Sequence, residues 1–110
     1  MSVTYDNIVS AQQEQGDVIR KTSLTFSDTF THLTGSTVYL KNEFEQKTGS
    51  FKLRGAYYKI KTLSDEERKN GVVAASAGNH AQGVAYASAL EKINCTIAVS
   101  YTHLTLPTKA

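Results

Sequence analysis

Two short stretches of the 110-residue chain hold most of the side chains that could do chemistry. The first is Thr48-Gly49-Ser50-Phe51-Lys52-Leu53-Arg54-Gly55-Ala56. A lysine amine forms Schiff bases with carbonyl groups once its surroundings favour the neutral form. Lys52 stands just inside an expected helix start, beside Phe51 and close to Arg54, and Gly49 and Gly55 allow close backbone approach. Periodicity alone reads Lys52 equally well as an exposed lysine on an amphipathic helix, where most lysines sit. The second stretch is Ala75-Ser76-Ala77-Gly78-Asn79-His80-Ala81-Gln82-Gly83. A turn leaving a strand and opening a helix points unpaired amides and the positive end of the helix dipole at an anion. Ser76, Asn79 and His80 add side-chain donors. A plain helix cap at Ser76 or Asn79 accounts for the same residues. No second histidine lies at a metal-ligand spacing from His80, so no metal is expected.

The elements that must position these loops follow from pattern and punctuation. Asn7 to Gln15 reads as a short amphipathic helix ended by Gly16, and Val18 to Leu24 as extended. Ser27 and Asp28 cap a second helix through Leu33, and Gly35 turns into a strand, Thr37-Val38-Tyr39-Leu40. Ser50 is an expected N-cap. Phe51, Leu53, Ala56, Tyr57 and Ile60 follow at helical spacing. Ser64-Asp65-Glu66-Glu67 is a capping-box pattern for a short helix that Gly71 stops. Val72 to Ala75 and Cys95 to Val99 read as buried strands. Asn79 to Glu91 between them is a helix packed through Ala81, Val84, Ala85 and Ala89. Strands and helices in alternation predict an α/β domain with a parallel sheet.

Composition narrows the function classes. The chain is 40% hydrophobic and 20% charged, ordinary for a globular domain. A net charge of +2 is too small to argue for nucleic acid or an anionic membrane surface. No apolar run is long enough to span a bilayer, and Met1 to Asn7 is not a secretory signal. Cys95 stands alone, as a small buried hydrophobe would. The lack of a disulfide framework fits a cytoplasmic location.

Taken together, Gly49-Ser50-Phe51-Lys52-Leu53-Arg54-Gly55-Ala56 and Ser76-Ala77-Gly78-Asn79-His80-Ala81-Gln82-Gly83 resemble the threonine dehydratase and serine racemase group of fold-type II pyridoxal-phosphate (PLP) enzymes. Leu40-Lys41, Glu43 and Gln46 resemble the segment before the lysine motif. Val18-Ile19 with Thr22-Ser23-Leu24 resembles an earlier one, although Ser23 stands where the family usually has proline. The likeness covers about Asn7 to Ala98.

That resemblance implies a partial fold-type II architecture, tryptophan synthase β-like, with pyridoxal 5'-phosphate as cofactor and a small amino acid, L-threonine or L-serine, as substrate. It implies that Lys52 holds the cofactor and moves the Cα proton. Phe51 lies against the cofactor ring, and Asn79 hydrogen-bonds the ring hydroxyl. Ser76, Asn79 and His80 hold the substrate carboxylate. The reaction implied is dehydration and deamination to a 2-oxo acid and ammonia, in a homo-oligomeric parent. Ala77 stands where serine racemases carry serine. Relatives are several-fold longer, and the Gly-rich loop that cradles the cofactor phosphate lies further on, so this chain is expected to be an inactive amino-terminal fragment. A serine racemase or another fold-type II PLP enzyme such as a cysteine synthase, and a non-catalytic partner-binding domain, are the alternatives. Residues 99–110 depart from the family: Val99-Ser100-Tyr101-Thr102-His103-Leu104-Thr105-Leu106-Pro107-Thr108 resembles one reading frame of a transposase-type sequencing adapter. Enzyme-like sequence is therefore expected to stop near Ala98.

Overall fold

In the computed structural model, which describes residues 2–100, five helices and four strands follow one another. They are α1 (Tyr5–Gln15), β1 (Leu24–Phe26), α2 (Asp28–Thr34), β2 (Tyr39–Lys41), α3 (Lys52–Lys61), α4 (Asp65–Asn70), β3 (Val72–Ala75), α5 (Asn79–Leu90) and β4 (Cys95–Ala98). Single 3-10 turns lie at Gly16–Val18 and Glu43–Glu45. No helix among the described residues is long and apolar enough to cross a membrane.

The parallel sheet expected from the alternation is the β3–β4 pair, with Val72 opposite Cys95 and Ala75 opposite Ala98. A parallel pair cannot be joined by a tight hairpin, and α5 is its crossover. The pattern did not separate the other two strands from this sheet. β1 and β2 pair with each other, antiparallel, and Phe26 meets Tyr39 edge-on at 5.6 Å.

Local capping explains most boundaries and several departures. α1 starts before Asn7, because Thr4 and Asn7 cap each other reciprocally at 3.2 and 2.9 Å. Residues 18–24 are not one extended run, since Gly16–Val18 forms a 3-10 turn and the strand starts only at Leu24. β2 starts at Tyr39 rather than Thr37; the Val38 amide is taken by the Thr31 hydroxyl of α2 at 2.9 Å. Ser27 caps α2, and Ser64 and Glu67 form the expected capping box of α4. α3 begins two residues after Ser50. Phe51 occupies its N-cap without a side-chain cap, and the Lys52 amide donates to Ser50 Oγ at 3.3 Å.

The core lies where α3 meets α5 above the β3–β4 pair. It contains Leu53, Ala56, Tyr57, Ile60, Ala74, Val84, Ala87 and Ile93. Phe51, expected on this apolar face, is 59% exposed. The buried face of α5 is also not the expected alanine face. Gly83, Val84, Ala87 and Ser88 are buried, whereas Ala85 and Ala89 are exposed and Ala81 is half-buried. Gly83 supplies the reason: a Cβ there would stand 3.2 Å from the Lys52 carbonyl oxygen and 3.3 Å from Ala56 Cβ. The helices cross so closely that a methyl at this position would require its neighbours to give by a few tenths of an ångström. The strands are less buried than their apolar sequences suggest. One face of the pair packs on the helices, as at Ala74, while Val73 on the other is 75% exposed and Cys95 is half-buried. Residues 101–110 lie outside the described residues, so the reading of the adapter-like tail falls almost wholly outside the structure.

Candidate active site

Lys52 is the first residue of α3 and Asn79 the first of α5. The two helices cross at Gly83, one turn into α5, against the Lys52 carbonyl. Chain regions far apart in sequence thereby bring the lysine motif and the glycine-asparagine-histidine loop to neighbouring helix starts.

The second loop follows β3 directly. Ser76 Oγ accepts from the Gly78 amide at 3.2 Å and the Ala81 amide at 3.3 Å, and the Gln82 amide bonds the Gly78 carbonyl. One hydroxyl thus caps the turn from two residues outside the helix. Gly78, at the N-cap, contributes no side chain. The amides of Asn79 and His80 have no acceptor among the described residues. They are the free donors that a twelve-residue helix offers to an anion at its positive end. Asn79, His80 and Ala77 are exposed, and Ser76 is half-buried. A Cβ on Gly78 would meet nothing within 4 Å, so the space in front of the turn is open. A cleft of about 370 Å³ lies at the carboxyl ends of β3 and β4, lined by Ala75, Ser76, Ala77, Ala98, Val99 and Ser100. Ligands of open α/β sheets bind at such strand ends.

In the first loop the Lys52 amine has no carboxylate within ion-pair distance among the described residues, and it lies 5.8 Å from the centre of the Phe51 ring. Thr48 Oγ1 is buried without a hydrogen-bond partner among the described residues. The lysine's neighbour Arg54 is tied down: its Nε and Nη2 reach Glu43 Oε1 and Oε2 at 2.5 and 3.1 Å. Glu43 also accepts from the Thr22 hydroxyl at 2.6 Å and, at 3.3 Å, from Gln46. The Arg54 hydrogen bond, with help from Thr22 and Gln46 and against partial burial, lowers the Glu43 carboxyl from its ordinary 4.5 to about 2. Sequence reasoning placed Glu43 and Gln46 near the motif by likeness alone and did not pair Glu43 with Arg54. The available signal was a charged residue in the segment that precedes the lysine motif.

These features suit the cofactor that the sequence leads one to expect. An unpaired amine opens one helix, unpaired amides open its neighbour, an aromatic ring flanks the amine, and open space lies ahead of the turn. No cluster of metal-ligating side chains occurs among the described residues.

Known proteins agree with this reading. The sequence profile of the family described as "Pyridoxal-phosphate dependent enzyme" matches residues 16–106, which extends past Ala98, the expected end of enzyme-like sequence. The chain is 55% identical to the L-threonine ammonia-lyase of Thermotoga maritima over 95 residues, 86% of this chain and 24% of that protein. It is 44% identical to the catabolic L-threonine dehydratase TdcB of Escherichia coli K12, over 82% of this chain and 27% of that protein. The structure of serine racemase from Dictyostelium discoideum superposes with a TM-score of 0.85 at 39% identity, covering 94% of this chain and 34% of that one. The processed form of threonine deaminase isoform 2 from Solanum lycopersicum superposes with a TM-score of 0.73 at 34% identity, covering 94% of this chain and 30% of that one. The chain spans about a quarter of the length of these curated relatives. With its lysine and amide-bearing loops on adjoining helix starts, and the profile matched over most of its length, this chain belongs to the pyridoxal-phosphate-dependent enzyme family.

Proposed function

We propose that this chain is the lysine-bearing part of a longer PLP-dependent dehydratase that converts L-threonine, and L-serine, to a 2-oxo acid and ammonia. The observation that carries the reading is the crossing of α3 and α5 at Gly83, which packs the helix that Lys52 opens against the helix whose Asn79 and His80 amides have no acceptor among the described residues. Support for the substrate comes from relatives named as threonine ammonia-lyase and threonine dehydratase.

When bound, the cofactor supplies an electron sink for negative charge at the substrate's α-carbon. In this reading Lys52 Nζ would hold the cofactor, and its amine would take the Cα proton of the substrate. Phe51 would lie against the cofactor ring, and the Asn79 side chain would donate to its ring hydroxyl. The substrate carboxylate lies against Ser76, His80 and the amides that open α5, where its charge meets the helix dipole. The β-hydroxyl leaves as water. Hydrolysis then returns a water at the α-carbon and frees ammonia, so the net change is amino acid to 2-oxo acid plus ammonia. The 110 residues alone are expected to be inactive.

The test uses the full-length protein loaded with PLP. 2-Oxobutanoate and ammonia should form from L-threonine in equal amounts, and borohydride reduction with peptide mapping should place the cofactor on Lys52. Cofactor on Lys41, Lys47 or Lys59 would overturn the assignment. Absence of any lysine-bound cofactor absorbance would favour a partner-binding domain instead.

The superposition on serine racemase favours one second reading, racemisation. Ala77 speaks against it, because a methyl group has no proton to deliver to the opposite face of the α-carbon. Chiral analysis of recovered serine and threonine should find dehydration without appreciable D-isomer. Substantial D-serine would replace the dehydratase reading with the racemase one.

A further inference from the structure

The first turn of α3 is poorly made as a helix start. Its N-cap, Phe51, offers no side-chain cap, and the turn holds no acidic residue but two cations, Lys52 and Arg54. Cations at the positive end of a helix are unfavourable, and the opening amides of α3 find only Ser50 Oγ, at 3.3 Å from the Lys52 amide, and the Phe51 carbonyl, at 3.0 Å from the Arg54 amide. α4 shows the ordinary solution, with a Ser64–Glu67 capping box and three acidic residues in its first turn. Something outside α3 must hold its opening turn.

Three other parts of the chain do so. α5 closes on it at Gly83, against the Lys52 carbonyl. α1 reaches it through Gln15, a buried side chain whose Nε2 donates to the Arg54 carbonyl at 2.8 Å. The segment after β2 reaches it through the Glu43 carboxylate, which grips the Arg54 guanidinium with both oxygens. Glu43 is in turn set by Thr22 and Gln46, and Gln46 is locked onto the Arg20 backbone by a reciprocal pair, amide to Oε1 and Nε2 to carbonyl, both at 3.0 Å.

We propose that Glu43 and Arg54 are positioning residues for Lys52: their two-oxygen ion pair, braced by Thr22 and Gln46, fixes the first turn of α3 and so the origin of the lysine side chain. The inference rests on the assignment of Lys52 above. Two bonds in parallel define the orientation of a planar guanidinium in a way a single contact does not. Arg54 lies two residues beyond Lys52 on a turn whose N-cap residue makes no side-chain bond and whose one side-chain acceptor is Ser50 Oγ at 3.3 Å, so its anchorage sets the turn's placement. The depressed carboxyl of Glu43 keeps the pair charged throughout the working pH range.

The experiment compares Glu43→Gln with the unmodified full-length protein. Glu91→Gln, at the far end of α3, serves as control. With cofactor removed, hydrogen exchange is followed at the amides of residues 51–54 and across α5. Loss of a charge-assisted pair should speed exchange in the first turn about tenfold while α5 stays unchanged. With cofactor restored, kcat for threonine should fall about tenfold with KM within about twofold, because a displaced amine slows the chemistry more than it weakens binding. Arg54→Lys keeps the charge but loses the fork. It should fall between the two, and it carries the same readouts should Glu43→Gln fail to fold. Unchanged exchange and kcat in both variants overturn the proposal. So does acceleration spread over the whole chain, which would make the pair a general stabiliser. Borohydride mapping of the unmodified protein separates the two claims. A cofactor on another lysine removes the assignment and the positioning role with it, whereas a labelled Lys52 with unaltered exchange removes the positioning role alone.

Discussion

α3 is held at both ends by a carboxylate brought from elsewhere in the chain, and the two ends are built differently. At its start, Glu43 meets Arg54 with both oxygens and collects Thr22 and Gln46 besides. At its finish, Glu91 takes a single contact from Arg68 at 3.1 Å and a looser one from Lys61 at 3.8 Å, while the Tyr57 hydroxyl donates to its other oxygen at 3.0 Å. The two carboxylates are equally covered, with side chains 15% exposed. Each answers a charge misplaced on a helix. Glu43 compensates the Arg54 cation at the positive start of α3, and Arg68 and Lys61 compensate Glu91 at the negative end of α5. Arg68 also donates to the Lys61 and Leu63 carbonyls, finishing α3.

The outcomes differ where chemistry is concerned. At the far end Lys61 and Arg68 are both engaged. At the near end Arg54 is engaged and Lys52 has no carboxylate partner among the described residues. Similar clusters can thus be purely structural or can hold a neighbouring amine in place without consuming it. For Glu91, burial is the largest influence and opposes ionisation, but Arg68, Tyr57 and Lys61 together still lower its carboxyl. Burial, followed by the bond to Glu91, raises the Tyr57 phenol.

The sharpest contrast comes from removing the amine itself. Lys52→Ala in the full-length protein should lower 2-oxo acid formation by at least about a hundredfold, the lower bound for losing a positioned proton-transfer group. An exposed substitution should leave stability within about 0.5 kcal/mol. A rate within tenfold of the unmodified protein would return Lys52 to the class of ordinary surface lysines. Leu53→Ala tests what the two ends share. Leu53 is fully buried between α3 and α5, so the cavity should cost about 2–5 kcal/mol in denaturant unfolding. A cost below about 1 kcal/mol would mean that the helices are not held through this residue.

Next come the two carboxylates compared directly. Glu43→Gln and Glu91→Gln should each cost about 1–3 kcal/mol of stability, the range for bonds to charged groups. Only Glu43→Gln should slow turnover. Equal losses of activity from both would erase the distinction between the ends. The smallest effect is on pH dependence. Both carboxyls are lowered in the folded state, so their stabilisation is complete above the unfolded value and is lost as pH falls through the folded one. For Glu43 that window runs from 4.5 down to about 2. Denaturant midpoints at about pH 5 and about pH 3 should differ less in Glu43→Gln than in the unmodified protein. An unchanged difference would show that the pair does not persist in solution.

Local chemistry was legible in the residues themselves. Ser27 before α2, Ser64 with Glu67 at α4, and the turn from Ala75 into Asn79 are written in side chains that bond to the backbone within three to five residues. The two loops could be recognised as a pair because their residue types recur together, and the parallel pairing of β3 with β4 followed from a strand-helix-strand order. Long-range geometry was not legible. Nothing in the spacing of α5 says that Gly83 rather than an alanine marks its buried face, because that depends on how near α3 approaches. Nothing in the order of strands separates β1 and β2 from β3 and β4, since either pairing satisfies the same local pattern. Glu43 and Arg54 are eleven residues apart, on a 3-10 turn and a helix, and periodicity cannot relate positions across a change of element. The residues themselves determined which groups could do chemistry and where helices begin. Only the tertiary structure decided which of two nearby cations is held and which is free, because that depends on the distance from each to a carboxylate carried by another part of the chain.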